Sequence, residues 1–198
     1  MDDTSTRDRI VGAADDLFYR QGYEQTSFAH IAEAVGITRG NFYHHFKSKD
    51  EMLDAVIGAR LASTARMLEQ WELDSETPRE RIRSFIRILI ANQSKIMSYG
   101  CPVGTLCTEL AKLDHPAQED ASRLFTLFRS WLAQQFTRLG RRKDADELAM
   151  HLLAQSQGVS TLANTFRDRE FVEREVGRMD AWLDALGEKA PRRPARKH

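Results

Sequence analysis

A chain of 198 residues with 29 lysines and arginines against 29 aspartates and glutamates carries no formal net charge. This balance excludes a protein that binds polyanions through a basic coat over its whole surface, so any contact with nucleic acid must come from a local patch. The absence of a long apolar run excludes a membrane span. No signal peptide is visible, and two cysteines are too few for a disulfide framework, so the sequence indicates a cytoplasmic protein.

The first fifty residues predict three short helices. Apolar residues recur at helical spacing over residues 10–18, and Gly22 ends this first helix. Ser27 offers an N-cap for a second helix that Gly36 ends, and the next N-cap candidate, Thr38, follows almost at once. Two short helices joined through a tight glycine turn predict a helix-turn-helix.

The third helix is expected to run from about Thr38 to Phe46, a length close to the ~12 Å width of the major groove. Phe42 and Phe46 are four residues apart and are predicted to pack inward. The other side of the helix is aromatic and cationic, and no acidic residue interrupts it. It carries Arg39, Gly40, Tyr43, His44 and Lys47.

The remaining chain also has helical periodicity. Capping boxes beginning at Ser48 and Thr77 start a long fourth helix and a fifth helix, which is expected to continue to the break at Gly100-Cys101-Pro102. A short helix and three long ones follow, the last ending at Gly187. No segment alternates with the period of a strand, so the predicted fold class is all-α with about nine helices.

The segment from about Arg9 to Leu53 resembles the DNA-binding domain of the TetR family of bacterial repressors. The resemblance is carried by Ile10-Val11-x-Ala13-Ala14-x-x-Leu17-Phe18, Gly22-Tyr23, Thr26-Ser27, Ile31-Ala32-x-x-x-Gly36-Ile37 and Gly40-Asn41-Phe42-Tyr43-His44-His45-Phe46-Lys47-Ser48-Lys49. It implies a DNA-binding domain over residues 1–50, a helical effector-binding and dimerisation domain over 51–187 and a basic disordered tail over 188–198. One departure is His30, where the family usually has an acidic residue.

The resemblance implies a repressor that binds operator DNA as a homodimer and is released by a small-molecule effector. Arg39 is expected to read guanine through its planar fork, and Gly40 to allow close backbone approach. The alternative for these side chains is a solvated helix face, with Tyr43 packed on a neighbour and His45 bracing the core. The residues predicted to contact DNA are Thr26, Ser27, Thr38, Arg39, Gly40, Asn41, Tyr43, His44, His45, Lys47 and Lys49.

Two further surfaces follow from the resemblance, and for both the alternative is ordinary packing inside one subunit. An effector is expected between the fifth and eighth helices, where it would swing the fourth helix. Its cavity is predicted to be lined by Phe85, Leu89, Asn92, Phe125, Phe128, Trp131 and Gln155. The dimer interface is predicted to contain Leu152, Val159, Leu162, Val176, Met179, Trp182 and Leu183.

Two other functions stay open. Cys101 and Cys107 could pair under oxidant and make the regulator a redox sensor, although two buried thiols at a helix break would look the same. A helical enzyme is the weaker alternative, because the sequence has no paired carboxylates, no nucleophile beside a base and no phosphate-binding glycine loop. No catalytic residue, metal site or cofactor is predicted.

Overall fold

The computed structural model describes residues 5–186, which form ten α-helices and no strand. The all-α prediction is confirmed, while the predicted tail at 188–198 lies outside the described residues. No helix of the described part is long and apolar enough to cross a membrane. The helices are α1 (Thr6–Gln21), α2 (Phe28–Val35), α3 (Arg39–His45), α4 (Lys49–Asp74), α5 (Pro78–Ala91), α6 (Gln93–Tyr99), α7 (Pro102–Lys112), α8 (Gln118–Arg138), α9 (Ala145–Phe166) and α10 (Arg169–Ala185).

The tenth helix arises from a break that the sequence did not reveal. The predicted fifth helix is divided at Asn92, whose backbone lies at φ −107° and ψ 12°. The Asn92 side chain donates to the carbonyl of Ile88 at 3.1 Å, and such a bond competes with continued helix. Beyond the break, the buried Gln93 donates to the carbonyl of Arg169 at 2.8 Å and ties α6 to the start of α10.

The first three helices share their core with the second half of the chain. Phe42 and Phe46 are buried, as predicted, in a cluster formed by α1 to α4. The same cluster contains Leu106 and Leu110 from α7, together with the first turns of α8. A separate core is formed by α5, α8, α9, α10 and the second half of α4. The helix-turn-helix therefore closes its core against α7 and α8.

Gly36 holds the turn between α2 and α3 at φ 72°, in the left-handed region. Nothing lies within 4 Å of a Cβ added there, so strain at the backbone alone should decide the effect of a side chain. We expect Gly36→Ala to lower the free energy of unfolding by about 1–2 kcal/mol.

The control is Gly58→Ala in α4, where a Cβ also meets nothing within 4 Å but the backbone is helical. This change should raise the free energy of unfolding by about 0.5–1 kcal/mol. Urea unfolding of both variants measures the difference, and effects of the same sign would contradict the assignment of strain to Gly36.

Candidate nucleic-acid interface and internal cavity

Helix α3 is fixed at both ends and along its inner side. Thr38 caps it by accepting the N–H of Asn41 at 3.3 Å, and Phe46 ends it in extended backbone. On the inner side Phe42 is 1% exposed and its ring lies 4.6 Å from that of Phe28 on α2. Packing therefore fixes which residues of this two-turn helix face solvent.

The outer side of α3 presents Arg39, Gly40, Asn41, Tyr43 and His44 to solvent, as predicted. Within residues 5–186, no carboxylate pairs with Arg39. The Tyr43 ring packs edge-on against Phe28 at 5.5 Å, as the alternative expects, while 48% of the residue stays exposed, so its DNA contact remains a prediction. The arrangement offers a cationic and hydrogen-bonding surface whose length is close to the width of the major groove.

His45 is half-buried next to His44, with ring centroids 5.4 Å apart. This position is intermediate between the predicted DNA contact and the alternative of a brace for the core.

A histidine takes part in the cap at the start of α2. Ser27 accepts the N–H of His30 at 3.2 Å, and the Ser27 N–H donates to His30 Nδ1 at 3.4 Å. His30 thus completes a capping box in place of the acidic residue that is usual in the family. The exposed Ser27 hydroxyl and the positive end of the helix dipole remain together, with no carboxylate in this first turn.

The predicted DNA contact of Thr26 is wrong. Thr26 is 2% exposed, its hydroxyl donates to the carbonyl of Gly22 at 2.7 Å, and its N–H donates to the carbonyl of Tyr23. Both groups that were expected to bind phosphate are therefore used inside the turn between α1 and α2.

Lys49 braces the same turn. Its Nζ donates to the carbonyl of Glu24 at 3.0 Å and lies 4.3 Å from the centre of the Tyr23 ring. Burial lowers the pKa of Lys49, although nearby carboxylates, led by that of Glu109, act in the opposite direction. A phosphate contact by Lys49 would cost these interactions. Lys47, exposed just after α3, has a single such contact, from its Nζ to the carbonyl of Tyr43.

A carboxylate from α7 holds the turn from the other side. Glu109 accepts the backbone N–H of Tyr23 and that of Glu24, each at 2.9 Å. Gly22, at φ 90°, leaves room for this approach, since a Cβ there would lie 2.9 Å from Glu109 Oε1. The contact joins residues more than eighty positions apart, and nothing in the local sequence indicated it.

A second contact lies beside this carboxylate. The Tyr23 hydroxyl donates to Asp50 at 2.8 Å and is 3.3 Å from His115 Nε2, in the turn before α8. Burial, followed by the bond to Asp50, raises the pKa of Tyr23 well above its usual value, so the phenol remains protonated.

Helix α1 is also tied to the turn between α6 and α7. Arg60 donates to Asp15 at 2.5 Å and to the carbonyl of Pro102 at 2.6 Å. Tyr19 donates to the carbonyl of Gly100 at 2.8 Å, and burial raises the pKa of Tyr19 to about 12. These bonds connect α1 to the wall of a cavity.

The cavity has a volume of about 680 Å³ and is lined by residues of α1 and α4 to α9 together with Cys101. Two of the residues predicted to line it do not. Trp131 packs on Trp71 instead, with ring centroids 5.7 Å apart, and Gln155 lies on the side of α9 away from the cavity-lining Leu153 and Gln157. The predicted residues that do line it are Phe85, Leu89, Asn92, Phe125 and Phe128.

Most side chains predicted for a dimer interface are used inside the subunit. The helical pattern identified an apolar face, but this face packs on α5 and α8 rather than outward. Trp182 is half-buried against Phe136, and Leu162 stays 42% exposed. The buried ones are Leu152, Val159, Val176, Met179 and Leu183.

The outer faces of α9 and α10 carry small residues. Ala154 and Gly158 are exposed on α9, and Gly177 and Ala181 are exposed on α10. Exposed small side chains allow another helix to approach closely, so these two faces are a candidate contact surface.

The two cysteines lie on one helix. Cys101 caps α7, where its Sγ accepts the N–H of Gly104 at 3.4 Å, and burial raises the pKa of the Cys107 thiol. Six residues of helix separate them by ~9 Å, beyond the ~7 Å between Cα atoms that a disulfide can span. Pairing would require α7 to unwind. Within the described residues no group of three or more potential metal ligands is present.

Comparison with known proteins adds to this geometry. One family model, described as bacterial regulatory proteins of the tetR family, matches residues 10–56, and another, described as the C-terminal domain of LmrA/YxaF-like transcriptional regulators, matches residues 78–175. An uncharacterised helix-turn-helix-type transcriptional regulator in the lacX 3′ region of Lactococcus lactis is 28% identical, covering 93% of this chain and 96% of that protein.

The helix-turn-helix-type transcriptional repressor DhaR of a Mycobacterium species is 24% identical, covering 84% of this chain and 86% of that protein. Among solved structures, a TetR transcriptional regulator from Legionella pneumophila superposes with a TM-score of 0.79 at 24% identity, covering 94% of this chain and 99% of that one. The fold is therefore shared over 94% of this chain.

Replacement of Glu109 tests the hold of α7 on the first turn. Glu109→Gln puts an amide donor against the N–H of Tyr23 or Glu24, and we expect a loss of about 1–3 kcal/mol in the free energy of unfolding. Hydrogen exchange at these two amides should be faster than in the native protein. Glu119→Gln, an exposed carboxylate on α8, is the control, and equal protection in both variants would contradict the role of Glu109.

Proposed function

Since the chain belongs to the TetR family and is a helix-turn-helix transcriptional regulator, not an enzyme, we propose that it is a repressor released by a small molecule. It binds a pseudo-palindromic operator as a homodimer, with one α3 helix from each subunit in successive major grooves. The observation that carries the proposal is the outer face of α3, whose predicted DNA-contacting residues are exposed while Phe42 fixes the helix from inside.

The contacts divide into groups that position and groups that read. The Ser27 hydroxyl, the start of α2 and Lys47 hold phosphates, which gives affinity without sequence preference. Arg39 and Asn41 reach base edges, and Gly40 lets the backbone approach the DNA. The fold itself does not require a glycine there, since a Cβ at Gly40 would meet nothing of the protein within 4 Å.

Dimerisation uses the exposed small-residue faces of α9 and α10. Two such pairs of helices, related by a two-fold axis, make a four-helix interface in which each subunit contributes the same surface. The two α3 helices must then be separated by about one helical turn of DNA, ~34–36 Å, which makes binding sensitive to shifts of a few ångströms.

Release by effector follows from the position of the cavity. Its wall includes α1, α4 and the start of α7, and these are the helices that carry or hold the DNA-binding helices. A ligand that displaces α7 at Pro102 moves Glu109, two turns further along the same helix. Because Glu109 binds the turn between α1 and α2, this turn moves with it, and α4 makes the expected swing.

The redox alternative has less support, since the helical separation of Cys101 from Cys107 opposes their pairing. To test this alternative, both cysteines are replaced by serine. If operator binding by this variant responds to oxidant as in the native protein, the redox alternative is rejected.

Selection of bound fragments from genomic DNA by the purified protein tests the proposal as a whole. Recovery of one motif with two inverted half-sites, about one helical turn apart, is the expected result. Fragments without a common motif would contradict sequence-specific binding.

Arg39→Ala should weaken binding to the selected operator by about 1–3 kcal/mol, because one bidentate base contact is lost. Binding to unrelated DNA should change little. Arg142→Ala, an exposed arginine beyond the far end of α8, is the matched control, and titration of labelled duplexes measures both. Equal losses on operator and unrelated DNA would show that Arg39 does not read a base.

Gly158→Glu should convert the dimer into monomers. A Cβ at Gly158 meets nothing within 4 Å of its own subunit, so only a partner would oppose the added charge. Gly58→Glu, at an equally open position on α4, should leave the dimer intact. Sedimentation velocity distinguishes the two, and a Gly158→Glu dimer would place the interface elsewhere.

A further inference from the structure

The cavity has two chemically different parts, and this difference bears on what it binds. Its interior is built by α5, α8 and α9, and it is apolar where α5 and α8 meet, while α9 adds Ser156, Gln157 and Ser160. Phe85 and Phe128 pack edge-on against each other there with ring centroids 5.5 Å apart, and Leu89 and Leu124 are buried beside them. This part suits a flat apolar body.

The remaining wall, on α1, α4 and α6, carries all the charged residues that line the cavity. They are Asp15, Asp16, Arg60, Arg66 and Lys95. Arg66 and Lys95 are exposed, so this side is where the cavity meets solvent.

The two carboxylates on this side are already neutralised. Asp15 is bound by Arg60 at 2.5 Å, and Asp16 is bound by Arg20 at 2.9 Å. Within residues 5–186, Arg66 and Lys95 have no carboxylate within 4.0 Å. The mouth of the cavity therefore has two uncompensated cations and no uncompensated anion.

We propose, on the basis of the effector cavity in the proposed function, that the ligand is an amphipathic organic anion. Its apolar, preferably aromatic, body lies against the wall formed by Phe85, Phe125 and Phe128. Its acidic group, a carboxylate, sulfonate or phenolate, lies at the mouth beside Arg66 and Lys95. An organic cation of the same size would meet like charge at the same place.

This arrangement places the ligand against both helices that need to move. Arg66 lies on α4, which continues into the DNA-binding helices, and Lys95 lies on α6, directly before the turn that holds Tyr19. An anion bound by both cations draws α4 and α6 together at the cavity mouth, while the apolar body remains against α8.

A matched pair of fluorescent probes tests the ligand class on the full-length protein. The anion 8-anilinonaphthalene-1-sulfonate and its uncharged counterpart N-phenyl-1-naphthylamine share an aromatic body and differ by the sulfonate. The anion should bind more tightly, and the advantage should shrink at 1 M salt, where the Debye length is ~3 Å.

The double change Arg66→Gln with Lys95→Gln should weaken binding of the sulfonate about three- to tenfold and leave the uncharged probe unaffected. Arg142→Gln with Lys143→Gln removes two exposed cations beyond the end of α8 and should change neither probe. Ser63→Trp, from an exposed position on the lining, should block the mouth and weaken both.

Equal binding of the two probes, or sulfonate binding that ignores the loss of Arg66 and Lys95, would overturn the proposal. Sulfonate binding that survives Ser63→Trp would place the probe outside the cavity and would equally overturn it. Operator titration in the same samples keeps the two proposals separate. Loss of the charge preference with intact operator binding rejects only the ligand class, whereas the expected probe behaviour without operator binding rejects only the proposed function.

Discussion

The placement of the DNA-binding helices depends on one carboxylate from a distant helix. Glu109 binds two successive backbone N–H groups of the turn after α1, and this turn fixes where α2 begins. The start of α2 in turn sets the angle at which α3 crosses it, through Phe28 and Phe42. A shift of α7 therefore reaches α3 through hydrogen bonds and ring packing, which leave little freedom of rotation between the two helices.

The absence of net charge is compatible with DNA binding because the charges are arranged locally. Elsewhere in residues 5–186, most arginines are paired with a carboxylate, as with Arg129 on Asp146 and Arg138 on Glu72. The outer face of α3 is left free of carboxylates. On the proposed function, this face meets nonspecific DNA with few cations, and we expect a larger share of the binding energy from bases than in a uniformly basic protein.

The sequence predicted what depends on neighbouring residues. The N-caps at Thr38, Ser48 and Thr77 are confirmed, because an N-cap needs only a side chain and the N–H three residues on. The capping box predicted at Ser48 is not closed, since Glu51 accepts the N–H of Lys47 instead. The partner of each apolar face was less predictable. Periodicity indicates that Val176 is buried, but it does not show whether the residues that cover Val176 belong to the same subunit or to another. Thr26 was misjudged for a related reason, because a hydroxyl before a helix can bond either to solvent or to the preceding turn.

The shared core has a consequence for how such a protein can be divided. Leu106 and Leu110 complete the packing around the first three helices, so a fragment of residues 1–50 would expose the apolar surface that they cover. A chimera that joins the first three helices to a foreign effector domain would need α7 and the start of α8 as well. The sequence that recognises DNA is contiguous, but the smallest modular unit that folds around it is not.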